Sequence, residues 1–81
     1  MRVRVLYFSQ LRELFGMEEQ TIDLERGATV GQVISEILSH EECLRFQNLP
    51  LRYAVNENFE DPTKILEDED TLAILMPMAG G

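Results

Sequence analysis

The chain has no tryptophan, a single cysteine and a single lysine among its 81 residues. One thiol cannot close an intrachain disulfide, nor can it supply a cysteine-based metal knuckle. Cys43 is therefore read as a packed apolar side chain. Basic residues are scarce as well: Lys and Arg total 7 against 15 Asp and Glu, a net charge of −8. Nucleic-acid affinity rests on neutralising phosphates with Lys and Arg, so this balance argues against DNA or RNA as a partner. A basic protein surface is the more natural counterpart, and the charge also keeps a small protein in solution. No apolar run approaches the roughly 18 residues of a membrane span. The opening residues, Met1 to Phe8, lack the apolar stretch of a signal peptide. A cytoplasmic protein of one domain is expected, small enough to bury only roughly 60–65% of its unfolded surface.

What is present is a set of short, well-punctuated elements. Val3, Val5 and Tyr7 alternate with Arg2 and Arg4, the period of a strand with one face buried. Ser9 is placed to cap a short helical segment, Gln10 to Phe15, and Gly16 to stop it. Residues 19–24 alternate again, and Glu25-Arg26-Gly27 reads as a turn. Thr29 and Gln32 have capping-box spacing, and Val30, Val33, Ile34, Ile37 and Leu38 make one apolar helical stripe. His40 then reads as a partner for that helix's C-terminal dipole. A loop follows to Pro50. Arg52 to Val55 is strand-like, Asn56-Glu57-Asn58 turn-like, and Phe59 opens a short edge strand. After an acidic loop, Glu67 to Asp70, a last strand runs from Thr71 to Met76 and Pro77 ends it.

One long helix must bury its stripe on a sheet. The order predicts an α+β roll of the β-grasp type: a mixed four- to five-stranded sheet, a long helix across one face and a short helix after the first strand. The first and last strands run parallel at its centre. Residues 1–76 form this domain, and 77–81 are expected to be a flexible tail ending in Gly-Gly.

The helix covers one sheet face only. If Val3, Val5, Leu72 and Ile74 meet it, then Leu6, Phe8 and Leu75 lie on the other side, with Phe59 joining from the edge strand. Parallel pairing puts the C-terminal ends of both central strands at one edge, where the tail leaves. Exposed apolar patches of this kind mark partner surfaces; the alternative is that segment 10–15 folds over the patch and hides it. From Pro77 to Gly81 the chain reaches at most about 17 Å when extended. That length can enter a partner's active site while the domain stays docked outside. The glycines carry no Cβ, so Gly80 keeps the approach narrow and Gly81 offers its main-chain carboxylate.

Several stretches have no suggestive chemistry. Glu67 to Asp70 lack the spacing and glycine of a calcium loop, and no Ser/His/Asp or Cys/His grouping suggests catalysis. No metal site is expected, and no catalytic side chain.

Three stretches carry a family resemblance: Leu6 to Gly16 (Leu-Tyr-Phe-Ser-Gln-Leu-Arg-Glu-Leu-Phe-Gly), Ala54-Val55-Asn56, and Pro77-Met78-Ala79-Gly80-Gly81. Over nearly its full length the chain resembles the small sulfur-carrier subunit of molybdopterin synthase, a MoaD-like, ubiquitin-related family. The first stretch is the more specific, since terminal Gly-Gly is shared with ubiquitin and with the thiamin sulfur carrier. Family tails often read Pro-Pro-Val-Ser/Thr-Gly-Gly, and the loop before the last strand often has Gly-Asp where Glu69-Asp70 stands here.

The resemblance implies that an E1-like (MoeB-like) enzyme uses ATP to adenylate the carboxylate of Gly81, and that sulfur displaces AMP to give a thiocarboxylate. It implies that the large synthase subunit (MoaE-like) takes up Pro77, Met78, Ala79, Gly80 and Gly81. Sulfur then passes to cyclic pyranopterin monophosphate to build the dithiolene of molybdopterin. It maps the large-subunit contacts onto Phe8, Phe59 and Leu75, beside Leu6. The chain itself is expected to bind no cofactor. A ubiquitin-like modifier, a carrier for another pathway such as thiamin, and a regulatory β-grasp domain remain alternatives.

Overall fold

The computed structural model of the chain describes residues 1–46 and 48–77. Its elements run β1 (Arg2–Tyr7), α1 (Ser9–Phe15), β2 (Glu19–Asp23), α2 (Val30–Ile37), a 3₁₀ helix (Glu41–Phe46), β3 (Arg52–Val55), β4 (Asn58–Glu60) and β5 (Thr71–Leu75). The strands form one mixed sheet in the order β2-β1-β5-β3-β4. β1 and β5 are its parallel pair, in the register Arg4 with Thr71, Val5 with Leu72, Leu6 with Ala73 and Tyr7 with Ile74. This is the β-grasp arrangement that the strand and helix patterns predict.

Alternation on β1 decides the layers. Val3, Val5, Tyr7, Leu72, Ile74 and Val55 are buried on the inner face, in one core with Val30, Val33, Ile34 and Leu38 of the α2 stripe. The Thr29 capping box forms as its spacing predicts. The Thr29 side chain accepts from the Gln32 N–H, and the Gln32 side chain accepts from the Thr29 N–H. Gly31 follows because the chain turns in close: its N–H bonds the Pro62 carbonyl at 2.9 Å, and a Cβ there would lie 3.1 Å from Pro62 Cβ. Gly16 ends α1 at φ 68°, a left-handed geometry that costs glycine no Cβ clash, and its N–H returns to the Arg12 carbonyl. The Tyr7 hydroxyl donates to Gln20 Oε1 at 2.8 Å. Burial, with a smaller contribution from nearby Cys43, raises its pKa above the ordinary tyrosine value.

Five local expectations need correction. Ser9 is not the cap of α1. Phe8 holds the N-cap position with extended backbone and no side-chain cap bond, and the Phe8 carbonyl accepts from Leu11 N–H at 3.1 Å. α2 has eight residues, only one more than α1, so it is not a long helix. His40 lies past the α2 end and its last turn carries no basic residue, which removes the dipole role assigned to His40. The loop after α2 contains a 3₁₀ helix, which buries Cys43 and Phe46 in the core. Strand β5 stops at Leu75, one residue short of the expected end.

The loop before β5 is tied to the β3–β4 hairpin. Asn56 and Glu57 form a two-residue turn with φ of 50° and 73°, the backbone of a type I′ hairpin. The Asn56 amide donates to Asp70 Oδ1 at 2.8 Å, and Asn56 Oδ1 accepts from the Thr71 N–H at 3.0 Å. Asp70, 7% exposed, also accepts from the Glu67 N–H. Its neighbour Glu69 sits at φ 72° with a side chain exposed to solvent. A non-glycine residue pays a steric cost there. Glu69→Gly is therefore expected to raise stability by about 0.5–1 kcal/mol, net of the entropy that glycine adds to the unfolded chain. Urea unfolding at constant m-value measures it.

Candidate docking face and C-terminal tail

The outer face of the sheet is built by the residues that alternate with the core. Successive pairings place Glu19, Leu6, Ala73, Ala54 and Phe59 in one row across all five strands. Ala54 opposite Ala73 leaves a low floor between the taller Leu6 and Phe59. The result is an open depression of about 500 Å³ lined by Leu6, Phe8, Ala54, Asn56, Glu57, Thr71 and Ala73. Phe8 is 39% exposed and Phe59 58% exposed, both high for aromatic side chains. Leu6 and Leu75 are partly buried on the same face. The structure thus brings together on one face the four residues singled out as a partner surface, Leu6, Phe8, Phe59 and Leu75.

Helix α1 does not hide this face. Leu11 is fully buried within the core, and the Phe15 ring packs 4.7 Å from that of Tyr7, an inner-face residue. The short helix therefore packs with α2 on the covered side.

Charge on the outer face is unevenly satisfied. Toward β2, Arg4 pairs with Glu19 at 3.1 Å and Arg2 with Asp23 at 3.9 Å. These are exposed pairs, of little net stabilising value. Toward β4 the Arg52 guanidinium lies 3.8 Å over the Phe59 ring. Sequence reasoning missed Arg52, Ala54 and Asn56 as parts of this face, because only the strand register reveals their neighbours. Burial raises the Tyr53 pKa, and hydrogen bonds from Thr63 lower that of Asp61. Tyr53 faces the helix layer and Asp61 lies beyond β4, so neither belongs to the depression.

Chain direction sets where the tail starts. β5 runs toward the same sheet edge as β1, so Leu75, Met76 and exposed Pro77 leave the domain beside Phe8. Met78, Ala79, Gly80 and Gly81, assigned to tail threading and to the reactive terminus, lie outside the described residues. No group of three or more His, Cys, Asp or Glu among the described residues is placed to hold a metal ion, and no described helix is long and apolar enough to cross a membrane.

The sequence and the fold both have relatives. The ThiS family model matches residues 5–81. A molybdopterin synthase sulfur carrier subunit from Chlamydomonas reinhardtii is 32% identical over the whole of both chains. One from Arabidopsis thaliana is 29% identical over 98% of this chain and 82% of the relative. Among solved structures, a Pyrococcus furiosus protein provisionally described as molybdopterin converting factor subunit 1 is 28% identical. It covers 96% of this chain and 99% of its own, with a TM-score of 0.80. Small archaeal modifier protein 1 from Haloferax volcanii is 19% identical with full coverage of both chains and a TM-score of 0.81. A chain from a complex of subunits 1 and 2 of molybdopterin-converting factor from Helicobacter pylori is 20% identical, also with full coverage, at a TM-score of 0.71. Uninterrupted from residue 5 to the terminal glycine, the match places the chain in the ThiS family, among MoaD-like relatives with the ubiquitin-like β-grasp fold.

Proposed function

We propose that the chain is the sulfur-carrier subunit of a molybdopterin synthase. An E1-like (MoeB-like) enzyme spends ATP to adenylate the carboxylate of Gly81. A sulfur donor displaces AMP from the mixed anhydride, and the product is a terminal thiocarboxylate. The outer sheet face then docks on a MoaE-like large subunit while the tail carries the sulfur into that subunit's active site. Two such transfers to cyclic pyranopterin monophosphate furnish the dithiolene.

The observation that carries this reading is the end-to-end likeness to proteins named as molybdopterin synthase sulfur carrier subunits. The family model alone also fits a carrier serving thiamin. The likeness to small archaeal modifier protein 1 concerns the fold, which a protein modifier shares. The apolar outer face next to the tail exit supports docking with delivery. The Helicobacter pylori complex supports a two-subunit assembly for this fold. Chemistry explains why the carrier needs no catalytic side chain: its reactive group is made from the main chain, and the partners supply charge stabilisation and exclude water from the activated acyl group.

The charging step tests the proposal. After incubation with an E1-like activating enzyme, ATP and a sulfur donor, the intact mass is expected to rise by the difference between sulfur and oxygen. The gain should map to the C-terminal peptide. An unchanged mass beside an activating enzyme that charges its own carrier would reject it. Adducts to lysines that survive reducing agent would favour a modifier instead.

A further inference from the structure

The cations of the outer face are not equivalent. Arg2, Arg4 and, beyond the strand, Arg12 each meet a carboxylate, at 3.9, 3.1 and 3.4 Å. Arg26 and Lys64 belong to the helix layer: Arg26 lines a depression with Gln32 and Val33 of α2, and the Lys64 carbonyl accepts from Val30 N–H. Arg52 alone among the described outer-face cations lies within salt-bridge distance of no described carboxylate. Its guanidinium is stacked instead on Phe59. Arg52 is also opposite Leu75 in the β3–β5 register, at the point where β5 gives way to the tail.

From this placement we infer that Arg52 is an electrostatic specificity contact of the docking face: it receives an Asp or Glu carboxylate of the protein partner, beside Phe59 on the β4 side of that face, where it lines a separate shallow depression with Phe59, Glu60 and Asp61. The inference rests on the docking reading proposed above and adds the chemistry of one contact to it. With its central carbon 3.8 Å from the Phe59 ring centroid, the guanidinium is held against the ring on one side, and its N–H donors are free of any described carboxylate. Those donors match a carboxylate in a bidentate geometry, which a lysine ammonium cannot reproduce. A domain with net charge −8 attracts partners that are basic overall. A single cation set beside the apolar floor then requires one acidic group at one place on such a surface. Reversed local charge of this kind fixes the register of a complex and penalises rotated docking. Here register matters because the tail leaves next to Arg52, so rotation of the docked domain about this face would carry the tail away from its target.

Arg52→Met separates the charge from the stem, since Met still covers Phe59. Arg52→Glu places repulsion at the same point. Affinity for a MoaE-like large subunit is measured by calorimetry at low and high salt, with Phe8→Asp alongside and thermal melts confirming that each variant is folded. The expected result is about tenfold weaker binding for Arg52→Met and a larger loss for Arg52→Glu at low salt. Salt is also expected to weaken the wild type more steeply than Arg52→Met. Binding of both Arg52 variants within twofold of wild type, while Phe8→Asp loses binding, would overturn the inference and leave the docking reading standing. Failure of the wild-type chain itself to bind would overturn both.

Discussion

Removal of Gly81 is expected to lower sulfur transfer at least about 100-fold without changing the melting temperature. The reasoning begins with reach. Each extended residue adds about 3.5 Å, so the deletion withdraws the reactive carbonyl by that distance from a site that the docked domain cannot follow. Misplacement by about 1 Å already costs on the order of 100-fold in rate where the reacting groups must be held in near-attack geometry. Stability should be indifferent, because among the described residues the core and the side chains packed on it extend no further than Met76. One residue added after Gly81 should fail as well, by moving the carboxylate and widening the end of the chain. Single-turnover transfer together with a thermal melt checks both variants, and full activity in either would mean that the terminus is not the reactive group.

Phe8→Asp is expected to weaken association with the large subunit by at least about 30-fold, the scale of losing a central aromatic anchor at an interface. The substitution also gives an unusually clean separation of binding from folding. Phe8 is the N-cap residue of α1, its backbone is extended, and no side chain caps the helix there. Asp is among the best N-cap residues, so a new cap bond should offset any loss of packing and hold stability within about 1 kcal/mol of wild type or above it. A folded variant that no longer binds would locate the docking energy on the outer face. A folded variant with wild-type affinity would move docking elsewhere on the domain.

Most of the fold was legible because β1 alternates at its start and the ends of β1 and β5 are apolar on both faces, while helices cover only one sheet face. That imbalance separated Leu6, Phe8 and Leu75 from the core before any contact was known. The capping box at Thr29 and the stop at Gly16 were readable for local reasons. Ser9 misled because its residue type suits a cap, yet the chain turns one residue earlier, with Ser9 itself at φ 49°. The 3₁₀ helix escaped notice since it lacks a 3.6-residue stripe. Its trace was the three-residue spacing of Cys43 and Phe46, both buried.

Features that depend on register could not be read from local pattern. Asn56 reads in sequence as a turn residue and as the end of the Ala54-Val55-Asn56 stretch, with nothing to show what its side chain meets. The link from its side chain to Asp70 and Thr71 requires β3 to lie beside β5. The Arg52–Phe59 stack is similar: the two residues are seven apart, and a two-residue hairpin turn makes them diagonal neighbours. The low alanine floor likewise comes from two distant alanines that meet across strands.

The most direct measurement of the carrier role is discharge. The chain, charged with isotopically labelled sulfur at its terminus, is mixed with a MoaE-like subunit and cyclic pyranopterin monophosphate, and intact mass is followed through one turnover. The expected result is loss of the labelled sulfur from the C-terminal peptide, return of Gly81 to a carboxylate, and appearance of the label in the pterin product in equal amount. A pterin dithiolene formed without label, or a charged chain that keeps its sulfur beside an active large subunit, would contradict it.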